Sequence, residues 1–370
     1  MVKVGITGQS GFIGTHLYNY LGLKEDIQRI EFKDEFFKHQ SALDKFVRLC
    51  DVIVHLAAMN RHGDPQFIYD TNIKLVQQLI DSLERTKSNP HIIMSSSTQE
   101  ERGNPYGRSK KEGRKLLIKW ADNSSSKFTG MIIPNVFGPF GKIFYNSVVS
   151  TFSYQITHGE IPEVQIDAEM KLIYVNDLVK NIYQIIIDKV YNDEYLIEHT
   201  STAKVTEILE KLKYFQNIYT QHGVFPKLDN YFELCLFNTF RSYLAEDYFP
   251  SNFELHSDDR GSFVEITKTL GQGQFSFSTT KPGITRGNHF HLRKVERFAV
   301  IKGKALIQLR RIGTDEVINY KLSGDKPGYV DMPIWCTHNI KNIGNEELYT
   351  IFWINEFFNQ DDPDTYFEKV

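Results

Sequence analysis

Three histidines and one glutamate have the residue types and spacing of a metal site. His289 and His291 are two residues apart, Glu296 follows in the same segment, and His338 lies further along the chain. Residues two apart in a β-strand point to the same face, so the first two imidazoles would lie side by side. Three nitrogens and one carboxylate suit a first-row divalent metal such as zinc, iron, manganese or nickel. We therefore predict a divalent metal site, with zinc as the expected ion.

The segments that carry these residues resemble the cupin superfamily. The first cupin motif is matched in full from Gly283 to Gly303. The second motif is matched by four residues, which are Gly328, Pro333, His338 and Asn342. The glycine that the family places two residues after the proline is Trp335 here, which leaves the turn of the second hairpin open. The resemblance implies an all-β jelly-roll barrel that binds the metal through the four residues above.

A nucleotide-binding turn is predicted at the start of the chain. The apolar run MVKVGIT reads as a buried parallel strand, and GQSGFIG follows it directly, ahead of a segment with helical spacing. Glycines between a strand and a helix let the backbone approach a pyrophosphate, and the N–H groups of the helix point at it. Gly8, Gly11 and Gly14 are therefore predicted to bind a dinucleotide, together with Phe12 and Ile13 of the same turn.

The GxxGxxG spacing resembles the extended branch of the short-chain dehydrogenase/reductase family. Further matches follow in the family's order: DVIVHLAA as its fourth strand, Asn72, HIIMSSS ending at Ser97, YGRSK at Tyr106 to Lys110, NVFGP at Asn135 and YVNDL at Tyr174. The resemblance covers about the first two-thirds of the chain. It implies a doubly wound parallel α/β sheet, with Ala57 beside the cofactor.

Tyr106 and Lys110 are spaced for proton transfer. Residues four apart share one face of a helix, and an ammonium near a phenol lowers the pKa of that phenol. Tyr106 would then exchange a proton with a carbonyl oxygen while the nicotinamide exchanges a hydride. The resemblance implies that Lys110 also holds the nicotinamide ribose and that Ser97 hydrogen-bonds the substrate carbonyl.

Two departures from the family narrow the chemistry. Relatives that dehydrate sugar nucleotides have Asp-Glu after the catalytic hydroxyl, whereas Thr98 and Gln99 stand here, which argues against dehydration. Only eight residues separate Ser97 from Tyr106, fewer than usual in the family. Which hydroxyl among Ser96, Ser97 and Thr98 faces the substrate therefore stays open.

The end of the second strand bears on the choice of cofactor. NAD enzymes usually place an acid there to bond the ribose hydroxyls. By spacing from Gly14 that position falls near Phe32 or Lys33, and a lysine favours a 2′-phosphate. We therefore predict NADPH, with Glu31 as the counter-argument and a solvated surface charge as the plain alternative for Lys33.

Two domains are predicted, 1–245 for the reductase and 246–370 for the cupin. Residues 140–245 would form most of the substrate-binding part of the first domain. Asn135 and Lys171 are its predicted substrate contacts. Lys171 lies just before YVNDL, where relatives often have an arginine that binds the diphosphate of the substrate. HSDDRGSFVEI, near the start of the second domain, resembles sugar-nucleotide cupins, and Arg286 could face the mouth of the barrel.

Composition excludes several classes of protein. The chain has 370 residues, a net charge of −3 and three cysteines. Nothing in that charge indicates nucleic acid or an anionic membrane as a partner, and no apolar run is long enough to span a bilayer. A sparse, odd cysteine count and the absence of a signal peptide fit a reducing cytoplasm.

A 4-keto sugar links the two domains chemically, because its ketone acidifies the hydrogens on C3 and C5. A base in the barrel could remove and return such a proton, with the metal as Lewis acid or as a purely structural element. The reductase would then convert the ketone to an alcohol and so retain the new configuration. Epimerisation therefore precedes reduction.

Over its whole length the chain resembles bifunctional enzymes of capsular polysaccharide biosynthesis. The resemblance implies a UDP-linked 2-acetamido-2,6-dideoxy-4-hexulose as substrate, C3 epimerisation in the cupin and NADPH-dependent C4 reduction in the first domain. It also implies a product that leads to UDP-N-acetyl-L-fucosamine. Cupins of this kind commonly pair through barrel edges, so a homodimer is expected.

Two other functions stay open at this point. The cupin could be only a metal-stabilised binding or dimerisation module of a plain 4-keto reductase, or it could be an iron dioxygenase. The base of the epimerase is also open, among four residues: His256, Asp258, Asp259 and Asp331.

Overall fold

Helices occur mainly in the first two-thirds of the chain. The computed structural model describes residues 1–254, 256–258, 261–263 and 266–370, with side chains for 1–254 and 266–370. The helices are α1 (Phe12–Leu21), α2 (Gln40–Leu49), α3 (Pro65–Thr86), α4 (Pro105–Ser124), α5 (Val148–Thr157), α6 (Val175–Ile187), α7 (Val205–Phe215) and α8 (Tyr231–Arg241). Short 3₁₀ helices span Asp34–Lys38, Thr98–Arg102 and Glu246–Tyr248, and a π-helix spans Gln216–Gln221. Within these described residues, no helix combines the length and apolarity needed to cross a membrane.

Strands occur throughout the chain and are nearly continuous after Ser251. Up to Phe225 they are β1 (Val2–Thr7), β2 (Ile27–Ile30), β3 (Val52–His55), β4 (His91–Ser97), β5 (Phe128–Ile133), β6 (Asn135–Phe137), β7 (Glu169–Tyr174), β8 (Asn192–Leu196), β9 (Ser201–Lys204) and β10 (Val224–Phe225). The later strands are β11 (Ser251–Asn252), β12 (His256–Asp258), β13 (Gly261–Phe263), β14 (Lys268–Thr269), β15 (Gln274–Thr280), β16 (Thr285–Phe290), β17 (Glu296–Lys302), β18 (Lys304–Arg311), β19 (Val317–Ser323), β20 (Gly328–Met332), β21 (Cys336–Asn342), β22 (Leu348–Ile354) and β23 (Tyr366–Phe367).

The chain folds into two compact units. The first comprises Met1–Phe137, Gly141–Val148 and Ala168–Lys204, and the second comprises Gly138–Phe140, Val149–Asp167 and Val205–Val370. Residues 205–245, assigned above to the reductase, thus pack within the second unit. A functional boundary after residue 245 stays a prediction.

The first unit is built on a parallel sheet with the order β2-β1-β3-β4-β5-β8. Strands β1, β3 and β4 are almost wholly buried, as expected for a sheet covered on both faces. A core that includes Phe46, Ile53, Leu79 and Leu117 fills the space under α2, α3 and α4. Because β3 pairs directly with β1, DVIVHLAA holds the predicted fourth-strand place of a doubly wound sheet. The predicted α/β fold is confirmed.

The second unit contains two five-stranded antiparallel sheets, β11-β20-β17-β22-β15 and β19-β18-β21-β16-β23. The core between them takes residues from both sheets, including Val300, Val330, Ile307 and Ile340. Side chains alternate between the two faces of a strand, and the two inner faces make this core. The prediction of an all-β second domain is confirmed.

Helices of the second unit cover the outer face of the sheet that contains β17 and β20. Arg297 and Asp331 lie next to the inward residues of these strands, so they point outward, and they form a bidentate ion pair at 2.7 and 3.0 Å. Tyr219 of the π-helix donates a hydrogen bond to the same carboxylate, and Phe225 stacks on Trp353 at 4.3 Å. Asp331 is fully buried in this layer. It therefore faces away from the core between the sheets.

Candidate active sites in the two units

The glycine-rich turn has the geometry of a nucleotide-binding loop. Gly8 has a φ of +71°, and a Cβ there would lie 2.8 Å from Cα of Ala57. A Cβ on Gly14 would lie 2.2 Å from the carbonyl oxygen of Gly8, so neither position accepts a side chain. Gly11 is the N-cap of α1, which begins at Phe12, and no side chain of this residue caps the helix. The first N–H groups of the helix are therefore available to an anionic ligand at the turn.

Charged residues follow β2, among them Glu31, Lys33 and Asp34. Nζ of Lys33 lies 3.5 Å from Oε1 of Glu31, and both side chains are exposed. Phe32 is buried, and its N–H donates to the side-chain oxygen of Gln9 in the turn. Asp34 accepts a hydrogen bond from Ser10 Oγ at 2.8 Å, which puts a carboxylate next to the glycine-rich turn. The contact between Asp34 and the turn was not predicted, and adjacency to Lys33 was its only sequence signal.

Hydrogen bonds join the loop after β3 to helices α3 and α4. Asn72 of α3 is buried, accepts from the N–H of Met59 at 2.7 Å and donates to Ser109 Oγ at 2.9 Å. Ser109 in turn donates to the carbonyl of Tyr106 at 2.7 Å. The N–H of Asn60 donates to the hydroxyl of Tyr145 at 3.0 Å. Asn72 therefore holds the loop after β3 against the first turn of α4.

Tyr106 and Lys110 lie one turn apart at the start of α4, as predicted. Asn104 caps this helix by accepting from the N–H of Gly107 at 2.7 Å, and Pro105 occupies its first position. Nζ of Lys110 lies 5.8 Å from the centre of the Tyr106 ring. It donates to the carbonyl oxygen of Ser95 at 2.8 Å and to Ser95 Oγ at 3.3 Å. The helix thus positions both side chains beside the end of β4.

The pKa values of this pair are shifted by burial. Burial lowers the pKa of Lys110 to about 8, against a smaller opposing effect of Glu100. Burial, with a contribution from Tyr145, raises the pKa of the Tyr106 phenol above its usual value. This direction is opposite to the predicted one, because removal of the phenol from water disfavours its charged phenolate form. Tyr106 is therefore protonated at neutral pH and suited to donate a proton.

The three neighbouring hydroxyls at the end of β4 have different surroundings. Ser96 is buried and hydrogen-bonds Glu100, which Arg114 holds in a bidentate ion pair at 2.8 and 3.0 Å. Ser97 shares the strand face of Ser95, the face that contacts Lys110, while Thr98 is exposed. Ser97 Oγ accepts from the N–H of Gln99 at 3.2 Å and keeps its own proton available. The geometry thus favours Ser97 among the three.

A pH profile tests the state of Lys110. Its ammonium is present below about pH 8 and is lost as the pH rises through that value. We therefore expect kcat/KM for ketone reduction to fall as the pH rises through about 8, since this parameter reports groups of the free enzyme. Lys110→Arg keeps a cation throughout and should remove this limb of the profile. A limb that persists in Lys110→Arg would assign the ionisation to another group.

The two predicted substrate contacts of the first unit lie on adjacent strands. Asn135 begins β6 and pairs with Leu172 of β7, and its side-chain amide donates to the carbonyl of Lys171 at 3.1 Å. The side chain of Lys171 is exposed. The structure therefore brings these two residues together, with a cation at the surface beside them.

The four predicted metal ligands converge in the second unit. One ligand atom from each of His289, His291, Glu296 and His338 lies within 4.8 Å of the others. His289 and His338 face each other across β16 and β21, and Glu296 begins β17 on the inner face of the other sheet. A shift in register between Gly287 and His289 redirects the end of β16, so that His291 lies just beyond the strand. The cluster thus bridges the two sheets.

The hydrogen bonds around the cluster fit a bound cation. Oε2 of Glu296 lies 3.2 Å from Nε2 of His291 and 3.2 Å from Nε2 of His338. Nε2 of His338 is buried and has no hydrogen bond of acceptable geometry. Burial alone would raise the pKa of Glu296, but the two imidazoles outweigh it and hold that pKa well below its usual range. Three imidazoles and a carboxylate with an unpaired buried nitrogen fit a divalent metal.

Of the other residues predicted near this site, Arg286 is exposed and its guanidinium lies 3.4 Å from the carbonyl of Thr279. Asp331, one of four residues considered for the base, points to the opposite face of its sheet and is paired with Arg297. It therefore cannot reach the cluster. The side chains of the other three lie outside the described residues: His256, Asp258 and Asp259.

The turn after β20 contains Trp335 at the position where the second cupin motif has a glycine. Trp335 has a φ of +58°, in the left-handed region that favours glycine. Its indole is buried and stacks on the Phe290 ring with 5.5 Å between ring centres, and the backbone N–H of Trp335 donates to the carbonyl of His291 at 2.9 Å. The aromatic packing therefore offsets the strained backbone, and the turn supports the metal segment.

Two substitutions at this position separate strain from packing. Trp335→Ala should lower the free energy of unfolding of the second unit by about 3–5 kcal/mol, because a buried aromatic ring is lost. Trp335→Gly loses the same ring but relieves about 1–2 kcal/mol of left-handed strain. The glycine variant should therefore unfold at higher urea concentration than the alanine variant. Equal urea midpoints for the two variants would show that residue 335 carries no left-handed backbone strain.

A doubly wound sheet with a glycine-rich turn and a Tyr-Lys pair defines a nicotinamide-dependent short-chain dehydrogenase/reductase, here joined to a double antiparallel sheet with a metal-ligand cluster. The chain belongs to the NAD dependent epimerase/dehydratase family, which matches residues 4–197. Residues 256–366 match the polysaccharide biosynthesis C-terminal domain.

Similar proteins include two that match over essentially the whole chain. A UDP-2-acetamido-2,6-beta-L-arabino-hexul-4-ose reductase of Pseudomonas aeruginosa is 34% identical, over 99% of this chain and 98% of the relative. The crystal structure of the capsular polysaccharide assembling protein CapF from Staphylococcus aureus is 38% identical, with a TM-score of 0.62 and full coverage of both chains. UDP-glucose 4-epimerase of Thermotoga maritima is 19% identical, with a TM-score of 0.52 over 58% of this chain and 82% of that chain, and shares the fold alone. The predicted full-length resemblance to capsular polysaccharide enzymes is confirmed.

Proposed function

We propose that this protein is a bifunctional sugar-nucleotide enzyme of capsular polysaccharide biosynthesis. Residues 246–370 epimerise C3 of a UDP-linked 2-acetamido-2,6-dideoxy-4-hexulose, and residues 1–245 reduce its C4 ketone with NADPH, towards UDP-N-acetyl-L-fucosamine. The observation that carries the proposal is the presence in one chain of a Tyr-Lys proton-transfer pair and a buried His-Glu cluster. The full-length relative named as a hexul-4-ose reductase supports the substrate class.

Reduction needs a proton donor at the ketone oxygen, and Tyr106 fits that role. Its raised pKa keeps the phenol protonated. Ser97, with an available hydroxyl proton, would hydrogen-bond the same oxygen, and Lys110 would hold the nicotinamide ribose and stabilise the phenolate that forms when Tyr106 gives up its proton. The nicotinamide cofactor supplies the hydride when bound. Asn135 and Lys171 would contact the nucleotide sugar, with the ammonium close to the diphosphate.

Epimerisation needs a base for the C3 proton and a group that stabilises the resulting negative charge. His289, His291, Glu296 and His338 would hold a divalent metal, which we propose to be zinc, in a cupin barrel. The metal supplies Lewis acidity to the ketone oxygen when bound. Arg286 would contact the substrate at the rim. The proposed base is one of three residues: His256, Asp258 or Asp259.

NADPH is the proposed cofactor form because Lys33 is exposed just after β2, and a lysine at this position would favour a 2′-phosphate. Asp34 favours NADH instead, since its carboxylate lies beside the turn that contains Ser10. The ratio of kcat/KM for NADPH to that for NADH decides between them. A ratio below one would overturn the proposed preference.

A homodimer is proposed through the outer edge of the second unit. Within the part of the chain that the structure describes, strand β15 is the last strand of its sheet, and its outward side chains Phe275 and Phe277 are 54% and 72% exposed. An unpaired strand edge with an apolar surface suits pairing with a second copy. Sedimentation should give the mass of two chains, whereas a monomer at micromolar concentration would exclude this interface.

The proposed substrate and cofactor suggest that the enzyme acts in the cytoplasm.

Proton NMR in deuterated water tests the bifunctional reaction. The protein is incubated with the UDP-linked 4-keto sugar without nicotinamide, and NADPH is added afterwards. We expect loss of the C3 proton signal in the first stage and a C3-inverted alcohol in the second. Retention of the C3 proton and of its configuration would leave a plain 4-keto reductase with a binding or dimerisation module. Oxygen consumption with bound iron would instead indicate a dioxygenase.

A further inference from the structure

The segment Pro363–Glu368 packs against β16, the strand that contains the predicted metal ligand His289. Strand β23 within it pairs with β16, so that Phe367 lies opposite His289 and Tyr366 opposite Phe290. The N–H of Glu368 donates to the carbonyl of Asn288 at 3.0 Å. This segment therefore covers one edge of β16 directly at the cluster.

Asp364 makes the closest connection between this segment and the metal ligands. Its side chain is only 2% exposed, and its carboxylate accepts three hydrogen bonds at 3.0 Å from consecutive N–H groups, those of Leu292, Arg293 and Lys294. Its backbone carbonyl accepts from Nδ1 of His291 at 2.5 Å. One residue thus binds both the loop after β16 and the imidazole that precedes it.

These contacts determine which nitrogen of His291 is free. A carbonyl oxygen only accepts hydrogen bonds, so Nδ1 must carry the proton. Nε2 is then the nitrogen that faces Glu296, at 3.2 Å. The carboxylate of Asp364 adds fixed bonds to the next three residues, so the ring can neither rotate nor withdraw without breaking them.

We propose that Asp364 is a positioning residue for the metal centre and that Pro363–Glu368 acts as a clasp on its ligands. The inference rests on the proposed metal site but concerns how that site is held. Residues that orient a ligating imidazole typically change metal affinity by about 10–100-fold when they are lost. Asp364 has a φ of +41°, which asparagine tolerates, so Asp364→Asn changes the acceptors with little added backbone strain.

Asp362→Asn provides a matched control immediately before this segment. Asp362 is exposed and contacts the guanidinium of Arg293 at 3.0 Å without reaching the loop N–H groups. Both variants and the wild type are titrated with Co²⁺ and Zn²⁺ after removal of metal. Asp364→Asn should weaken Co²⁺ binding by about 10–100-fold and alter the visible Co²⁺ bands, which report ligand number and geometry. Asp362→Asn should match the wild type in both.

Unchanged affinity and bands in a folded Asp364→Asn protein, or equal losses in both variants, would overturn the clasp. If Asp364→Asn does not fold, Arg310→Met serves instead. Arg310 anchors the far end of the segment through Glu368 at 2.8 Å and the carbonyl of Lys369 at 2.5 Å. Its loss should weaken Co²⁺ binding several-fold, and an unchanged affinity would refute the proposal.

The metal centre and the clasp can fail separately. A wild-type protein that binds neither Co²⁺ nor Zn²⁺ refutes the proposed metal site. In the metal-free protein, the Nδ1–H of His291 should still give a downfield imidazole NMR signal protected from exchange, and Asp364→Asn should lose that protection. Equal protection in both proteins would refute the clasp whatever the metal result.

Discussion

Tyr106→Phe is expected to lower the rate of ketone reduction by about 10²–10⁴-fold, the usual contribution of a general acid. The substitution removes only the hydroxyl, and the remaining ring keeps its place in the first turn of α4. The phenol has a raised pKa, so the wild-type residue carries a proton that phenylalanine cannot supply. Exchange of the C3 proton should continue, because that reaction is assigned to the second unit.

Nicotinamide absorbance measures the reduction, and proton NMR in deuterated water measures the exchange. Tyr18→Phe is the matched control. Tyr18 lies in α1, and its ring centre is 4.3 Å from the guanidinium carbon of Arg29, a contact that phenylalanine keeps. That control should keep both rates. Loss of exchange in Tyr106→Phe would mean that one site performs both steps, and full reduction would remove Tyr106 as the proton donor.

His338→Ala is expected to show the opposite result, with loss of metal and of C3 exchange and retention of reduction. His338 is fully buried and lies opposite His289, with Nε2 3.2 Å from Glu296. Alanine leaves three ligands and removes one of the two imidazoles that lie next to the Glu296 carboxylate. Because loss of an orienting residue alone weakens binding by about 10–100-fold, loss of a ligand should weaken it by more than about 100-fold.

Metal content is measured after dialysis against a weak chelator, and exchange is followed in the absence of nicotinamide. His199→Ala removes an exposed imidazole of the first unit and should leave both properties unchanged. Reduction of a ketone that is already epimerised tests whether the variant is folded. Exchange at the wild-type rate in metal-free His338→Ala would show that the cluster has no part in the chemistry.

The amino-acid sequence determined the features that rest on local spacing. A strand, a glycine turn and a helix follow one another within the first residues, so the position of Gly8 and Gly14 could be predicted. The helical period places Tyr106 and Lys110 on one face, and this holds wherever α4 packs. His289, His291 and Glu296 are close in the chain, so their convergence needed only strands and a turn.

Tertiary structure decided which face each element presents and what covers it. The sequence alone does not distinguish Ser96 from Ser97. In the folded chain, Arg114 holds Glu100 against β4, so the hydroxyl of Ser96 hydrogen-bonds Glu100 and that of Ser97 stays available to a substrate. The same applies to Asp331, whose outward direction follows from the sheet that β20 joins. Apolar residues recur at helical spacing from Thr202 to Phe215, which predicts a buried helix face without indicating what that face packs against.

The clasp of Asp364 depends on tertiary structure more than any other feature of the site. Asp364 is 73 residues from His291, and its neighbours in the chain resemble a polar loop. Its carboxylate gains meaning only where three consecutive N–H groups converge on it. Local periodicity determines which residues share a face, whereas contacts between distant segments depend on how whole elements pack, and that information is not contained in spacing alone.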